Sequence, residues 1–304
     1  MSAPAAAPRG ADLALLAALT CIWGLNWPLM KIGMHEFGPM TFRMASGLFG
    51  AVGLVAVTRA LGQRMAVPRD QWRPLVVAAL LNYSIWQVLA AYGIMHLPSG
   101  VASVLAFTMP LWAVVLSALF LADRITRRRV AGLAFGLCGL GVLFAGSLAS
   151  IGAKPEGIPL MLGAALSWAA GTVYMKRVAW RVPVVALTTW LILVGQVPVI
   201  AVTLAVEGVA WPRVSAAAWF SLAYTVVLGF VFGYLAWFRI VRAFPAPVAA
   251  IGTLMIPCVG VATGALLLGE DPGWRVIAAL VMVMTAIAIV LEARLPRWRE
   301  KTAP

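Results

Sequence analysis

The 304-residue chain is 63% hydrophobic and only 11% charged, with a mean hydropathy of +0.97. A soluble domain carries about a quarter charged residues, so no water-facing shell can be built and a soluble enzyme is excluded. The net charge of +13, from 23 Lys and Arg against 10 Asp and Glu, would suggest nucleic acid in a soluble chain. In so apolar a chain it reads instead as basic residues holding cytoplasmic loops in place, with the lipid bilayer as partner and no nucleic acid.

Ten apolar segments follow in order: Leu13 to Lys31, Met40 to Thr58, Leu75 to Met95, Ser99 to Leu121, Val130 to Ser147, Ile158 to Met175, Pro183 to Val206, Ser215 to Phe238, Pro247 to Gly269 and Val276 to Leu291. Each is near the roughly 20 residues of helix that a bilayer core requires. They predict an all-α integral membrane protein of ten transmembrane helices. A membrane barrel would show alternating segments of about ten residues instead. With the N-terminus inside, eighteen Lys and Arg fall on cytoplasmic stretches and five (Lys31, Arg43, Lys154, Arg213, Arg275) on the other side. Both termini are therefore expected in the cytoplasm of a multi-pass protein of the cell inner membrane. No small-x-small pattern follows the first segment, so a cleaved leader is not expected. Cys21, Cys138 and Cys258 lie in apolar runs and read as small buried hydrophobes. No cofactor or metal is expected.

The chain repeats itself. At a shift of 147, Pro98 falls on Pro245, Val101 on Val248, Ala102 on Ala249, Pro110 on Pro257, Asp123 on Glu270 and Trp72 on Trp219. At 145, Trp23 falls on Trp168, Met30 on Met175 and Lys31 on Lys176. Two five-helix repeats are predicted, residues 12–147 and 157–294, flanked by cytoplasmic tails 1–11 and 295–304. Five being odd, the second repeat enters the membrane inverted, the arrangement by which many secondary transporters alternate between two faces around a central cavity.

Proline in a helix interior removes a donor and clashes with the preceding turn, so Pro110 and Pro257, at equivalent positions, are expected to be paired hinges or gates. Trp72, Trp211, Trp219, Trp274 and Trp298 read as interfacial belt residues, whereas Trp86, Trp112, Trp168, Trp190 and Tyr234 sit deeper. Helix three carries Asn82, Tyr83, Trp86 and Gln87, of which Tyr83, Trp86 and Gln87 share a stripe at i, i+3 and i+4. Trp23 and Asn26 lie one turn apart on helix one. Together with Trp168, Trp190 and Tyr234 these form the expected substrate-binding set. The competing reading is that their polar groups only tie helices together. Lys31 and Arg43 stand at outer helix ends, where they attract a carboxylate, latch to Glu36, or snorkel to the interface, the last being the simpler reading. The spacing of Gly132, Gly136, Gly139 and Gly141 suits a dimer face but more commonly serves packing within one bundle, and a monomer is expected.

Several of these residues resemble the EamA-type drug/metabolite transporter superfamily: Trp23-Gly24-Leu25-Asn26 with Lys31, the Phe42-Arg43 pair, Ala102 with Pro110 and Asp123, and Ala249 with Pro257 and Glu270. Within it the Trp-rich pattern looks most like the YddG-type amino-acid exporters. The resemblance implies a ten-helix basket exporting neutral or aromatic amino acids and related metabolites by alternating access. A drug or nucleotide-sugar exporter of the same fold is the alternative. An integral-membrane enzyme would need an acid/base or metal cluster at depth, and a scaffold would not need the paired prolines. The small multidrug-resistance relatives carry a central glutamate where this chain reads Thr20 to Asn26, and no Asp, Glu or His lies near the middle of any segment, which disfavours coupling through a buried acid.

Overall fold

The computed structural model describes residues 10–121, 126–145, 154–208, 213–243 and 254–292. Both tails except Gly10 and Ala11, together with Asp123, Trp211, Pro245, Val248, Ala249 and Trp298, lie outside them. Each apolar run is helical because lipid offers a backbone polar group no partner but its own helix. The helices are α1 (Gly10–Phe37), α2 (Pro39–Ala60), α3 (Arg69–His96), α4 (Ser99–Phe120), α5 (Arg127–Phe144), α6 (Gly157–Arg177) and α7 (Val184–Val206). They continue with α8 (Ala216–Tyr224 running on through Thr225–Phe232 to Gly233–Ala243), α9 (Ile256–Leu268) and α10 (Gly273–Glu292). Eight are long and apolar enough to cross a membrane among the described residues. The other two are α5, whose first turn is Arg127-Arg128-Arg129, and α9, which is shorter.

The two halves run in opposite directions. Along α5, Gly132 faces Val290, Gly136 faces Ala286 and Gly139 faces Met282 of α10, so repeat-equivalent helices pack antiparallel. A side chain at Gly132 would stand 2.7 Å from Val290 Cγ2 and 3.0 Å from the Ala286 carbonyl. Gly132, Gly136 and Gly139 are thus consumed inside the bundle, while a side chain at Gly141 would have no neighbour within 4 Å. The same antiparallel order joins α4 to α9, with Gly100 against Val261 and Ser103 against Gly260. These contacts make the architecture two inverted five-helix repeats.

The helices are interrupted in matched places. A turn at Phe107-Thr108 divides α4 into Ser99–Ala106 and Met109–Phe120, and a turn at Leu254-Met255 immediately precedes α9. Those pairs are 147 residues apart. Pro110 and Pro257 each occupy the first turn of the helix that follows, where the missing N–H costs nothing. They therefore begin new helices rather than kink old ones. The prolines inside continuous helices are instead Pro28 and Pro198. A second matched pair was not signalled by sequence: α3 contains a π-helical turn at Leu80–Ser84 and α8 one at Thr225–Phe232.

Candidate functional site

The π turns explain several polar side chains. Such a turn leaves carbonyls without their usual i+4 donors, and helices of the other half supply them. Trp23 Nε1 donates to the Gly229 carbonyl (3.0 Å), and the Thr225 hydroxyl donates to Asn26 Oδ1 (2.8 Å). In the mirror arrangement, Ser167 of α6 donates to the Leu81 carbonyl (2.7 Å). Asn82 lies against Gly171 of α6. Trp23 and Asn26 are therefore engaged between helices, while Asn82 is packed between them with its Nδ2 unpartnered among the described residues.

Tyr83 is the hub of a second group. Its hydroxyl donates to Gln196 Oε1 (2.8 Å), and Gln196 Nε2 donates to the Met44 carbonyl (3.0 Å). The Ser84 hydroxyl donates to the Gly195 carbonyl (2.7 Å). These bonds join α2, α3 and α7, and they need Gly47, where a Cβ would collide with both Gln196 Oε1 and the Tyr83 hydroxyl. Gln87 lies one turn along α3 beside Tyr83, and Tyr234 and Arg43 act on Tyr83 electrostatically. Trp86 meets Trp168 edge-on at 5.3 Å between centroids, and Tyr234 meets Phe230 at 6.2 Å. The sequence stripe is modified by the π turn: Tyr83 and Gln87 are buried toward α2 and α7, while Trp86 is half-buried toward α6.

Four sequence expectations are corrected, the first being that the cysteines are buried: Cys21 and Cys138 are exposed and Cys258 is half-buried. Trp190 stands apart from the Tyr83 group. It packs edge-on against the belt residue Trp72 at 5.0 Å, and its Nε1 donates to the Met65 carbonyl at 2.7 Å. It also borders an apolar surface groove of about 410 Å³ with Val76, Leu80 and Pro198. Arg43 does not snorkel; it is 4% exposed, because the face of α2 that carries it turns toward α1 and α3. Lys31 neither snorkels nor pairs with Glu36. Its Nζ bonds Glu270 Oε1 (3.0 Å) and the Leu97 carbonyl (2.8 Å).

That last contact belongs to a ring of carboxylates that sequence reading missed. At the end of the bundle where α1 meets α2, three glutamates each cap the N-terminus of a helix distant in sequence. Glu36 accepts from Ser215 N and Oγ at the start of α8, both at 2.6 Å. Glu207 accepts from Met40 N, Thr41 N and Thr41 Oγ1 at the start of α2, all at 2.8 Å. Glu270 accepts from Ser99 N (2.7 Å), Ser99 Oγ (2.8 Å) and Gly100 N (3.2 Å) at the start of α4. Negative charge belongs at these helix ends, which carry unpaired donors and the positive end of the dipole. Burial pushes the Glu270 carboxyl up, but the Ser99 donors and Lys31 outweigh it and hold it below the usual carboxylate range. Among the described residues the opposite end has two ion pairs, Asp12 with Arg239 at 3.1 Å and Asp70 with Arg181. Among the described residues no group of three His, Cys, Asp or Glu is placed to hold a metal.

Comparison with known proteins agrees with this architecture. A solved crystal structure aligns with a TM-score of 0.64, covering 91% of this chain and 96% of that one at 20% identity, a likeness of fold. The "Uncharacterized transporter YvbV" of Bacillus subtilis (strain 168) is 30% identical over 292 residues, spanning 93% of this chain and 92% of the relative. The "Probable amino-acid metabolite efflux pump" of Escherichia coli (strain K12) is 27% identical, spanning 95% and 96%. The "Uncharacterized inner membrane transporter YedA" of the same organism is 28% identical, spanning 90% and 89%. The EamA-like transporter family matches residues 9–145 and again 155–292, one match for each five-helix repeat, and this multi-pass membrane protein belongs to that family of transporters.

Proposed function

We propose that the protein exports neutral or aromatic amino acids and related amphipathic metabolites across the inner membrane by alternating access, in the manner of the YddG-type exporters, with both termini cytoplasmic. The observation that carries this reading is the neighbourhood of Tyr83. Buried hydrogen-bonding groups at Tyr83 and Gln196 and the Trp86–Trp168 ring pair stand on adjacent turns of α3, the first directed toward α2 and α7 and the second toward α6. Rings offer apolar surface to a side chain, and amide and hydroxyl groups offer partners to a polar head. The relatives named amino-acid metabolite efflux pumps and the relative named an inner membrane transporter support the substrate class and the location.

In this reading Tyr83, Trp86, Gln87, Trp168 and Tyr234 line a central cavity. Trp23 and Asn26 tie α1 to α8 instead, and Trp190 belongs to the interfacial belt. The divisions at Phe107-Thr108 and Leu254-Met255, followed by Pro110 and Pro257, are the hinges on which the halves rock. Counterflow of a panel of labelled amino acids into proteoliposomes tests the proposal. Uptake of aromatic or other neutral members is expected. A correctly folded protein that moves none of the panel would refute it and direct attention to drug or nucleotide-sugar substrates.

A further inference from the structure

Among the described residues Arg43 is a charge without a counter-charge. It lies one turn into α2, 4% exposed, within a membrane span. Its Nη1 donates to Met30 Sδ at 3.3 Å, and thioether sulfur is a weak acceptor. Its Nε has no hydrogen-bond partner among the described residues. None of the ion pairs there includes it. Glu207, at the same end of α2, spends both oxygens on the α2 N-terminus at Met40 and Thr41. The carboxylates of Glu36 and Glu270 are committed to α8 and α4 in the same way.

A second orphan stands close by. Gln87, 3% exposed, lies against the Tyr83 side chain, and among the described residues its Nε2 has no acceptor in good hydrogen-bonding geometry. The Tyr83 hydroxyl proton is already given to Gln196. This part of the helix bundle thus has buried N–H groups in surplus among the described residues, one of them cationic. Leaving such groups unsatisfied inside a membrane protein is costly. The deficit is made good by a ligand that brings oxygen acceptors and one negative charge. A planar guanidinium fits a carboxylate best, through two parallel N–H···O bonds.

We infer that Arg43, assisted by Gln87, is the anchor for a substrate carboxylate, so that the transported molecule must carry a free carboxylate and its amide or decarboxylated amine is rejected. The inference deepens the proposed function by assigning the polar end of the substrate, and it rests on that reading only for the rest of the molecule. A carboxylate held here leaves the remainder of the substrate to the Trp86–Trp168 pair and to Tyr234.

The experiment is competition against labelled counterflow by phenylalanine, phenylalaninamide, phenethylamine and phenylpyruvate. In the wild-type protein the two acids should compete at least about 30-fold better than the amide and the amine, the discrimination expected when a buried charge pair loses one partner. Arg43→Gln should lose most competition by the acids while its thermal unfolding stays near wild type. Arg43→Lys should recover part of it, and Gln87→Leu should weaken the acids by less than Arg43→Gln. If phenylpyruvate competes in an Arg43-dependent way and no amino acid does, the anchor stands and the amino-acid reading falls. Equal competition by acid and amide in the wild type overturns the anchor, and so does an equal loss of both in Arg43→Gln. Should Arg43→Gln fail to fold, the wild-type comparison of acid with amide decides alone.

Discussion

Glu270 joins the two repeats at the end proposed to face outward, and its replacement by Gln should loosen that end. The carboxylate, 13% exposed, accepts from Ser99 N, Ser99 Oγ, Gly100 N and Lys31 Nζ at 2.7–3.2 Å. Glutamine keeps one acceptor oxygen but turns the other into a donor that faces Ser99 and Gly100, and it removes the charge that holds Lys31. A charged hydrogen bond contributes about 1.5–3 kcal/mol and a neutral one about 1. With the exposed fraction of the ion pair discounted, the loss is about 2 kcal/mol. If opening toward the outside breaks these contacts, the open state gains roughly 30-fold in population. The assay uses Ser103→Cys in a protein without Cys21, Cys138 and Cys258, labelled in intact cells by an impermeant thiol reagent. Ser103 lies one turn below Ser99 and is fully buried against Gly260. Labelling should accelerate about 30-fold in Glu270→Gln. Because the Glu270 carboxyl is held below its usual range, its contribution is complete above that range and is lost only as pH falls through the lowered value. Wild-type labelling should therefore stay flat from about pH 7 to pH 5 and rise only below that. An unchanged labelling rate in a folded Glu270→Gln protein would refute the reasoning and leave Glu270 a helix cap without a gating role.

Three further outcomes are expected. Gly47→Ala should break the Tyr83–Gln196 bond by steric conflict and lower stability by about 1–3 kcal/mol, read as a drop in unfolding temperature, whereas Gly141→Ala, whose added methyl has no neighbour within 4 Å, should show no packing conflict. Trp86→Ala should lower transport of an aromatic amino acid more than of a small one, since stripping an apolar ring contact costs roughly 1–3 kcal/mol; an equal loss for all substrates returns the Trp86–Trp168 pair to packing. Single cysteines at Arg128 and Lys154 should label from opposite faces of the membrane, with only position 154 reactive in intact cells, and labelling of both from one face would contradict the proposed orientation.

The helices and their doubling were legible because bilayer thickness imposes a length on every segment and because Pro, Trp and acids are rare enough for a repeated frame to stand out. Direction was not. In Arg43 the sequence gives depth, one turn from a helix end, but both faces of α2 are apolar, so nothing local says that its side chain turns inward. Trp190 failed in the complementary way: its position looked deep, yet the loop at Met65 folds back to meet it. The prolines pointed to the breaks in α4 and before α9, though not to their form. The π turns left no mark, since Leu80–Ser84 and Thr225–Phe232 read as ordinary apolar helix. The capping glutamates were missed because each acts on a helix more than 150 residues away.

The π turns in α3 and α8 also set the register the two halves share. A π turn carries one residue more than the α-helical turn it replaces. Leu80 and Ser84, carried forward by the 147-residue shift, fall on Val227 and Val231, inside Thr225–Phe232. Each turn is held from across the interface, one by Trp23 and the other by Ser167. Deleting one residue from only one of the two turns should then rotate the half of that helix beyond it by about 100°, leaving one repeat out of register with the other.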